Sequence, residues 1–424
     1  MPQPICFSDG TYYDCSQYPA VSDALIEYPD ICTVNAKSFQ FKVVVVLCFS
    51  DLSIVVFPKN YKELLFGKTY ISESKTLIKT LLRYRRENLL EENERKYLYG
   101  DSQLNGNRIA SAFFLLEDYC QNGYITRQSE ISTMGQSGSI DWVSTVNKQN
   151  PVFSNRRPVY TDPIVRKRKI DNNNIVHLTH RYVISECFKE WGWLFDYDSS
   201  IDYTSPLPLP INETIDALRK ELQQTFLARE VHVIRELINY MSEISGSDKI
   251  KKLDIIATPY FSFVWEAICG FLFDNQYSRL KSLLPQPIWE SEIVNGSIAQ
   301  RPDIFYVNDA LFILDAKYYN YTHNIPGWHD VVKQMFYRHT MVSIRESREY
   351  QRVLPFQKEI FNAFLFPGND QDLLYVGKVY VPKLVDMGEV RAFAINQEKA
   401  MDTYSKRESS GFCAMLQSKI REYF

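Results

Sequence analysis

Two acids and a base fall close together in Arg301-Pro-Asp-Ile-Phe-Tyr-Val-Asn-Asp-Ala-Leu-Phe-Ile-Leu-Asp-Ala-Lys317. The stretch reads as a β-hairpin, with Pro302-Asp303 entering the first strand and Asp315-Ala-Lys317 ending the second. Asp315 and Lys317 stand at i and i+2, so strand alternation sends both side chains to one face. Leu311, Phe312, Ile313 and Leu314 form an apolar run that buries the second strand. An Asp and a Lys that close to a buried strand are costly unless they pair or bind a metal. Two carboxylates can hold a hard cation such as Mg²⁺ through oxygen. A neighbouring ammonium can help to deprotonate water or neutralise a phosphate. The plainer alternative is a solvated turn aspartate beside a surface ion pair worth at most about 1 kcal/mol.

Other residues sharpen this reading. Glu266 closes the otherwise apolar helical turn Phe261-Ser-Phe-Val-Trp-Glu266, upstream of the hairpin. Gln334 and Tyr337 stand at i and i+3 on the helix expected after it, hence on one helical face. All of them fall within about one domain's length and can converge.

The elements that must position these groups are legible in outline. Strands are expected at 41–49 and 52–57, with a turn near Ser50-Asp51, then at 288–294, in the hairpin, and at 363–366 and 374–381. Helices are expected at 75–84, 91–98, 109–119 (Gly123 just beyond as its stop), 178–193, 215–240, 260–273, 328–343 and near 415–423. The order helix, strand, hairpin, helix, strand over 255–385 predicts an α/β (α+β) core with a mixed β-sheet flanked by helices. The expected division is an amino-terminal α/β domain over 1–150 for recognition or partner contact, a basic and helical middle region over 151–250, and a carboxy-terminal catalytic domain over 251–424.

The ordered set Glu266, Pro302-Asp303, Asp315-Ala-Lys317 and Gln334-x-x-Tyr337 resembles the PD-(D/E)xK nuclease superfamily. The resemblance implies that Asp303, Asp315 and Glu266 bind Mg²⁺. It implies that Lys317 orients the attacking water and stabilises charge on the phosphate, and that Gln334 and Tyr337 support the site or touch DNA. Further short motifs, Val55-Val-Phe-Pro-Lys-Asn-Tyr61, Gly135-x-x-Gly-x-Ile-Asp-Trp142 and Phe-x-x-Val-Trp-Glu266, are similar to McrC-type restriction subunits, LlaJI-type endonucleases in particular. That likeness implies cleavage of double-stranded DNA in host defence, a cognate DNA methyltransferase in the same system, and an McrB-like AAA+ NTPase as a separate partner. The sequence lacks Gly-x-x-x-x-Gly-Lys-Ser/Thr, so nucleotide hydrolysis would have to come from another subunit. Cutting both strands with one site calls for a homo-oligomer or two encounters. A DNA repair or recombination nuclease of the same superfamily and a non-catalytic DNA-binding assembly subunit stay open as alternatives.

Composition sets limits. The 424 residues carry a formal net charge of −3, so DNA contact must come from a local basic patch rather than bulk charge. The strongest patch is Arg156, Arg157, Arg166, Lys167, Arg168 and Lys169, with Tyr160, His177, His180 and Arg181 nearby. These residues can track a phosphate backbone or form an exposed basic loop. Eight cysteines without CxxC or CxxH spacing argue against zinc and against a disulfide framework. With no signal-peptide pattern and no apolar run near 20 residues, no membrane association is expected, and the chain reads as cytoplasmic.

Overall fold

Val43 to Leu47 is β-branched almost throughout and wholly buried, the composition of a strand covered on both faces. In the computed structural model of the protein, Val44–Cys48 pairs antiparallel with Ser53–Phe57 on one side and with Asp254–Thr258 on the other. The structure describes residues 4–48, 52–62, 64, 70–87, 108–135, 137–195, 204–245, 254–285, 300–355, 359–409 and 411–422. Ile5–Ser8 adds a parallel edge to this four-stranded sheet. Pairing between residues two hundred positions apart decides how the chain divides. Pro2–Asp101 and Leu253–Phe424 form one unit, and Ser102–Lys252 forms the other. The carboxy-terminal boundary falls within two residues of the expected 250, whereas the division near 102 follows strand pairing rather than the expected position 150. The expected turn near Ser50-Asp51, the 91–98 helix and the 288–294 strand lie outside the described residues.

The first unit also holds a five-stranded mixed sheet. The hairpin strands Ile304–Val307 and Leu311–Ala316 pair antiparallel, and Ile360–Gly368 and then Glu389–Asn396 join in parallel. Leu373–Tyr380 closes the far edge antiparallel. Leu311 to Leu314 are all buried, as a strand between two others under helices requires. Leu311 and Ile313 point to the same side and pack with Phe305, Tyr337 and Met341. That side is covered by the helix Trp328–Ile344, and the helix Phe261–Leu272 also packs against this strand. The α/β architecture with mixed sheets is the expected one. The strand Glu389–Asn396 and the helix Gln397–Lys406 were not foreseen. Glu389 and Arg391 break the apolar pattern there, but they pair with each other at 3.0 Å, and Arg391 also donates to the Ile420 carbonyl at 3.1 Å.

The second unit is built on the helices Arg108–Asn122, Ile175–Trp191, Ile211–Gln223 and Ala228–Ser245. Gly123 ends the first with φ +70°, its N–H donating to the Tyr119 carbonyl at 2.8 Å, as the glycine stop predicts. The single helix expected at 215–240 is two helices. At the break the Thr225 hydroxyl bonds back to the Glu221 carbonyl, a local bond that competes with helical continuation. The strands Arg127–Met134 and Ile164–Asp171 pair over eight residues. Both are too polar to show a two-residue apolar period. Among the described residues no helix is long and apolar enough to cross a membrane.

Candidate active site

The register of the hairpin determines how its acids meet. Ile304 opposes Leu314, so Asp303 stands across from Asp315 one step beyond the last ladder pair. Directly opposed residues in an antiparallel pair hold their Cβ atoms about 5 Å apart on one face. The Asp303 Oδ2 accepts a hydrogen bond from the Ala316 N–H at 3.0 Å, and the Asp303 carbonyl accepts from Asn275 Nδ2 at 2.8 Å. Burial pushes the Asp303 carboxyl up to about 8, and the charges of Asp315 and Glu266 push in the same direction. Glu266 is raised too, first by burial and then by Asp315, against the opposing pull of Arg301, Lys333 and Lys317. The negative charge of Asp315 thus weighs on both Asp303 and Glu266, and these two would ionise more readily with a cation among them.

Asp315 is 2% exposed, which removes the surface-pair alternative. Its Oδ2 lies 2.9 Å from Lys317 Nζ and otherwise has no hydrogen-bond partner. Lys317 Nζ is also 2.9 Å from Asp330 Oδ1. Burial alone would lower the Lys317 ammonium. Asp315 and Asp330 together override it and raise that group above the ordinary lysine value. Asp330 sits in the first turn of the Trp328–Ile344 helix, where the amide dipoles favour an anion. Its Oδ2 accepts from the Tyr319 hydroxyl at 3.3 Å. Burial would raise its carboxyl, but the hydrogen bond and charge of Lys317, with the Tyr319 hydroxyl and the Gly327 backbone, together outweigh this and lower it.

One stripe of that helix faces the strand. Asp330, Lys333, Gln334 and Tyr337 follow the i, i+3, i+4, i+7 spacing. Lys333 Nζ lies 3.9 Å from Asp315 Oδ1. Gln334, 1% exposed, donates from Nε2 to the Ile313 carbonyl at 3.0 Å, two residues before Asp315. The Tyr337 hydroxyl donates to the Arg301 carbonyl at 3.2 Å, just ahead of Pro302-Asp303. Gln334 and Tyr337 thus brace the backbone that carries the acids. Asp330 and Lys333 escaped the sequence reading, although they precede Gln334 and Tyr337 by one helical turn on the same stripe.

The amino-terminal motif acts on the same loop. The Lys59 N–H donates to the Tyr318 hydroxyl at 2.7 Å, and Asn60 Nδ2 donates to the Tyr319 carbonyl at 3.1 Å. Asn60 adopts φ +59°, a conformation that asparagine tolerates better than most residues. The Pro58-Lys59-Asn60 turn therefore anchors the segment immediately after Lys317.

Among the described residues no three His, Cys, Asp or Glu side chains close on a common point as a finished metal centre. A cation with few protein ligands still suits the cluster. It offers hard oxygen donors only, one of them buried with no hydrogen-bond partner besides Lys317, and carboxylate repulsion to relieve. Mg²⁺ characteristically takes one or two carboxylates and completes its shell with water and substrate oxygens.

The basic candidates lie elsewhere. Arg166, Lys167, Arg168 and Lys169 belong to the strand Ile164–Asp171, not to a loop. Arg166 pairs with Asp141 at 2.9 Å, and Arg168 approaches Glu130 at 3.9 Å. Asp141 caps the helix Trp142–Lys148, and Trp142 is exposed. Arg156 is the second residue of an Asn155-Arg156 turn, with φ +50° and +61°, that joins Val152–Ser154 to Arg157–Val159. His177 and His180 are buried on either side of Ile125, one ring nitrogen meeting its carbonyl at 2.8 Å and the other accepting its N–H at 3.2 Å. Burial takes the His180 imidazole down to about 3, so it is a neutral core residue rather than a phosphate contact.

Comparison with known proteins agrees with the sequence motifs. A curated relative, the type II restriction enzyme BsuMI component YdjA of Bacillus subtilis strain 168, is 25% identical over 315 residues, 68% of this chain and 64% of the relative. The chain thus spans less than two thirds of that relative's length. Among solved structures, a chain of the Thermococcus gammatolerans assembly of McrB AAA+ hexamers with bound McrC aligns over 95% of this chain and 98% of its own, at 12% identity and a TM-score of 0.39. The cryo-EM structure of the McrBC complex from the same organism aligns over 56% of this chain and 79% of the other, at 13% identity and a TM-score of 0.27. The model of the LlaJI restriction endonuclease family matches residues 43–398, most of the chain, and this protein belongs to that family.

Proposed function

We propose that this chain is the nuclease subunit of a restriction system, hydrolysing phosphodiester bonds of double-stranded DNA with Mg²⁺ at a PD-(D/E)xK site. The observation that carries the reading is Asp315, buried to 2% with the Lys317 ammonium at 2.9 Å and Asp303 opposite it on the hairpin. In this reading Asp303 and Asp315 hold the metal, and Glu266 reaches it directly or through water. Mg²⁺, when bound, supplies Lewis-acid stabilisation of phosphate charge and makes water a better nucleophile. Asp303, whose carboxyl is raised by burial, would have to lose its proton to hold the metal. Lys317 orients the attacking water and neutralises charge on the phosphate. Lys333, at the rim of the cluster, is placed to meet a neighbouring phosphate. Gln334 and Tyr337 keep the two acid-bearing segments in register. The proposed hydrolysis uses water directly, without a covalent intermediate.

Arg156, Arg157, Lys167, Arg168 and Lys169 are proposed as secondary contacts to the DNA backbone, with Arg166 held by Asp141. The curated relative is named as one component of an enzyme, and these 424 residues carry no phosphate-binding loop of the Gly-x-x-x-x-Gly-Lys-Ser/Thr type. Both favour a separate McrB-like NTPase partner, and the restriction reading itself calls for a companion methyltransferase. The test is incubation with Mg²⁺ and plasmid, modified or unmodified, with and without the product of any adjacent NTPase gene. Discrete fragments that disappear in Asp315→Ala and Lys317→Ala support the reading. End-dependent degradation points instead to a repair nuclease, and DNA binding without cutting points to an assembly subunit.

A further inference from the structure

Lys317 faces two carboxylates at equal distance, and only one of them is wanted by a metal. Its Nζ is 2.9 Å from Asp315 Oδ2 and 2.9 Å from Asp330 Oδ1. Asp315 has Lys317 and the more distant Lys333 as its only cationic neighbours within 4 Å among the described residues. A divalent cation held by Asp315 and an ammonium in close contact with the same carboxylate repel each other strongly. The ammonium must then move away or be kept by something else. Asp330 is equipped to keep it. It stands in the first turn of a helix, it accepts a second hydrogen bond from Tyr319, and its helix is fastened to the strand by Gln334.

We propose that Asp330 is a positioning residue that retains the Lys317 ammonium when a divalent cation occupies Asp315, so that metal entry shifts the lysine by a small step instead of expelling it. This rests on the nuclease reading above, and it assigns a role to a residue outside the Asp303, Asp315 and Lys317 set. Without Asp330, Lys317 has only Asp315 to pair with and competes directly with the metal. Cation affinity and lysine placement therefore fail together in Asp330→Asn, whereas Asp330→Glu, which keeps the charge, recovers part of both.

The experiment is a calorimetric titration of Mg²⁺ into the full chain and into Asp330→Asn, Asp330→Glu, Lys317→Met and the Lys317→Met/Asp330→Asn double variant, with circular dichroism melts to verify folding. Asp330→Asn is expected to weaken Mg²⁺ binding about tenfold, a difference of about 1.4 kcal/mol. The double variant is expected to bind as Lys317→Met does, because the competitor is gone. Unchanged binding in Asp330→Asn overturns the assignment. So does equal weakening in both lysine backgrounds, which would make Asp330 merely one more negative charge. If the unsubstituted chain binds no Mg²⁺, the assignment fails with the metal site. If it binds Mg²⁺ with the expected coupling yet cuts no DNA in the plasmid assay, the nuclease reading fails alone.

Discussion

The stretches Asp303–Lys317 and Arg156–Lys169 are both dense in charge, and the protein treats them differently. In the first, the charges of the site are buried or half-buried and shared: one ammonium serves Asp315 and Asp330, and Asp315 weighs on the ionisation of Asp303 and Glu266. In the second, six cations lie on a short hairpin and on one strand, and among the described ion pairs only Arg166 is held closely. Burial, not the number of charges, makes an ionisable group sensitive to its neighbours, because the low dielectric of the interior strengthens every interaction it has. The first stretch is built for chemistry at one point, and the second for contact over an area.

The sharpest way to break this contrast is to remove a charge from each. Asp315→Ala should abolish Mg²⁺-dependent cleavage, a loss of more than about a hundredfold, since the metal accounts for several kcal/mol of the barrier. It should also lower the melting temperature, because Lys317 then loses one of its two partners in a buried place. Changing Lys167, Arg168 and Lys169 together to Ser should leave melting almost unaffected, within about 0.5 kcal/mol. Its visible effect should be a shallower salt dependence of DNA binding. If the triple change destroys cleavage as fully as Asp315→Ala does, the two regions are not separable as described.

Acidity gives a second handle. Asp303 rises to about 8, from an ordinary carboxyl value of 3.8. A group raised on folding contributes stability that is complete below its unfolded value and is lost as pH climbs through its folded one. Metal-free protein should therefore melt at progressively lower temperature between about pH 4 and pH 8, and Asp303→Asn should flatten that slope. Mg²⁺ affinity should climb over the same range, because the cation displaces a proton. A metal-free melting profile identical in Asp303→Asn and the unsubstituted protein would mean that the acid is not perturbed.

The bracing residues should show the smallest effects. Gln334→Leu removes the donor to the Ile313 carbonyl and should cost about 1–2 kcal/mol, measured by denaturant unfolding. Tyr337→Phe loses one bond to the Arg301 carbonyl and should cost about 1 kcal/mol. Both should retain cleavage at saturating Mg²⁺.

The part of this design that depends on short spacing was legible in the sequence. Two-residue alternation placed Asp315 beside Lys317, an unbroken apolar run marked their strand as buried, and helical spacing put Gln334 and Tyr337 on one face. What escaped depended on pairing over distance. Nothing local announces that Asp254–Thr258 completes a sheet begun by Ile5–Ser8, or that Asn60 would anchor the loop after Lys317. Arg127–Met134 and Ile164–Asp171 are polar strands that hold by registering with each other, so neither shows the alternation that betrays a half-buried strand. Asp330 and Lys333 carry no signal in the sequence for a simpler reason: charged residues in the first turns of a helix usually face water, and only the strand beneath makes these two part of the site.

The most direct measurement is a crystal of the full chain grown with Mn²⁺ in place of Mg²⁺, with the anomalous signal used to locate the ion. A single peak within ligating distance of both the Asp303 and the Asp315 carboxylates, with Lys317 drawn toward Asp330, is the predicted result. A peak on other residues, or none at a concentration that supports cleavage, would contradict it.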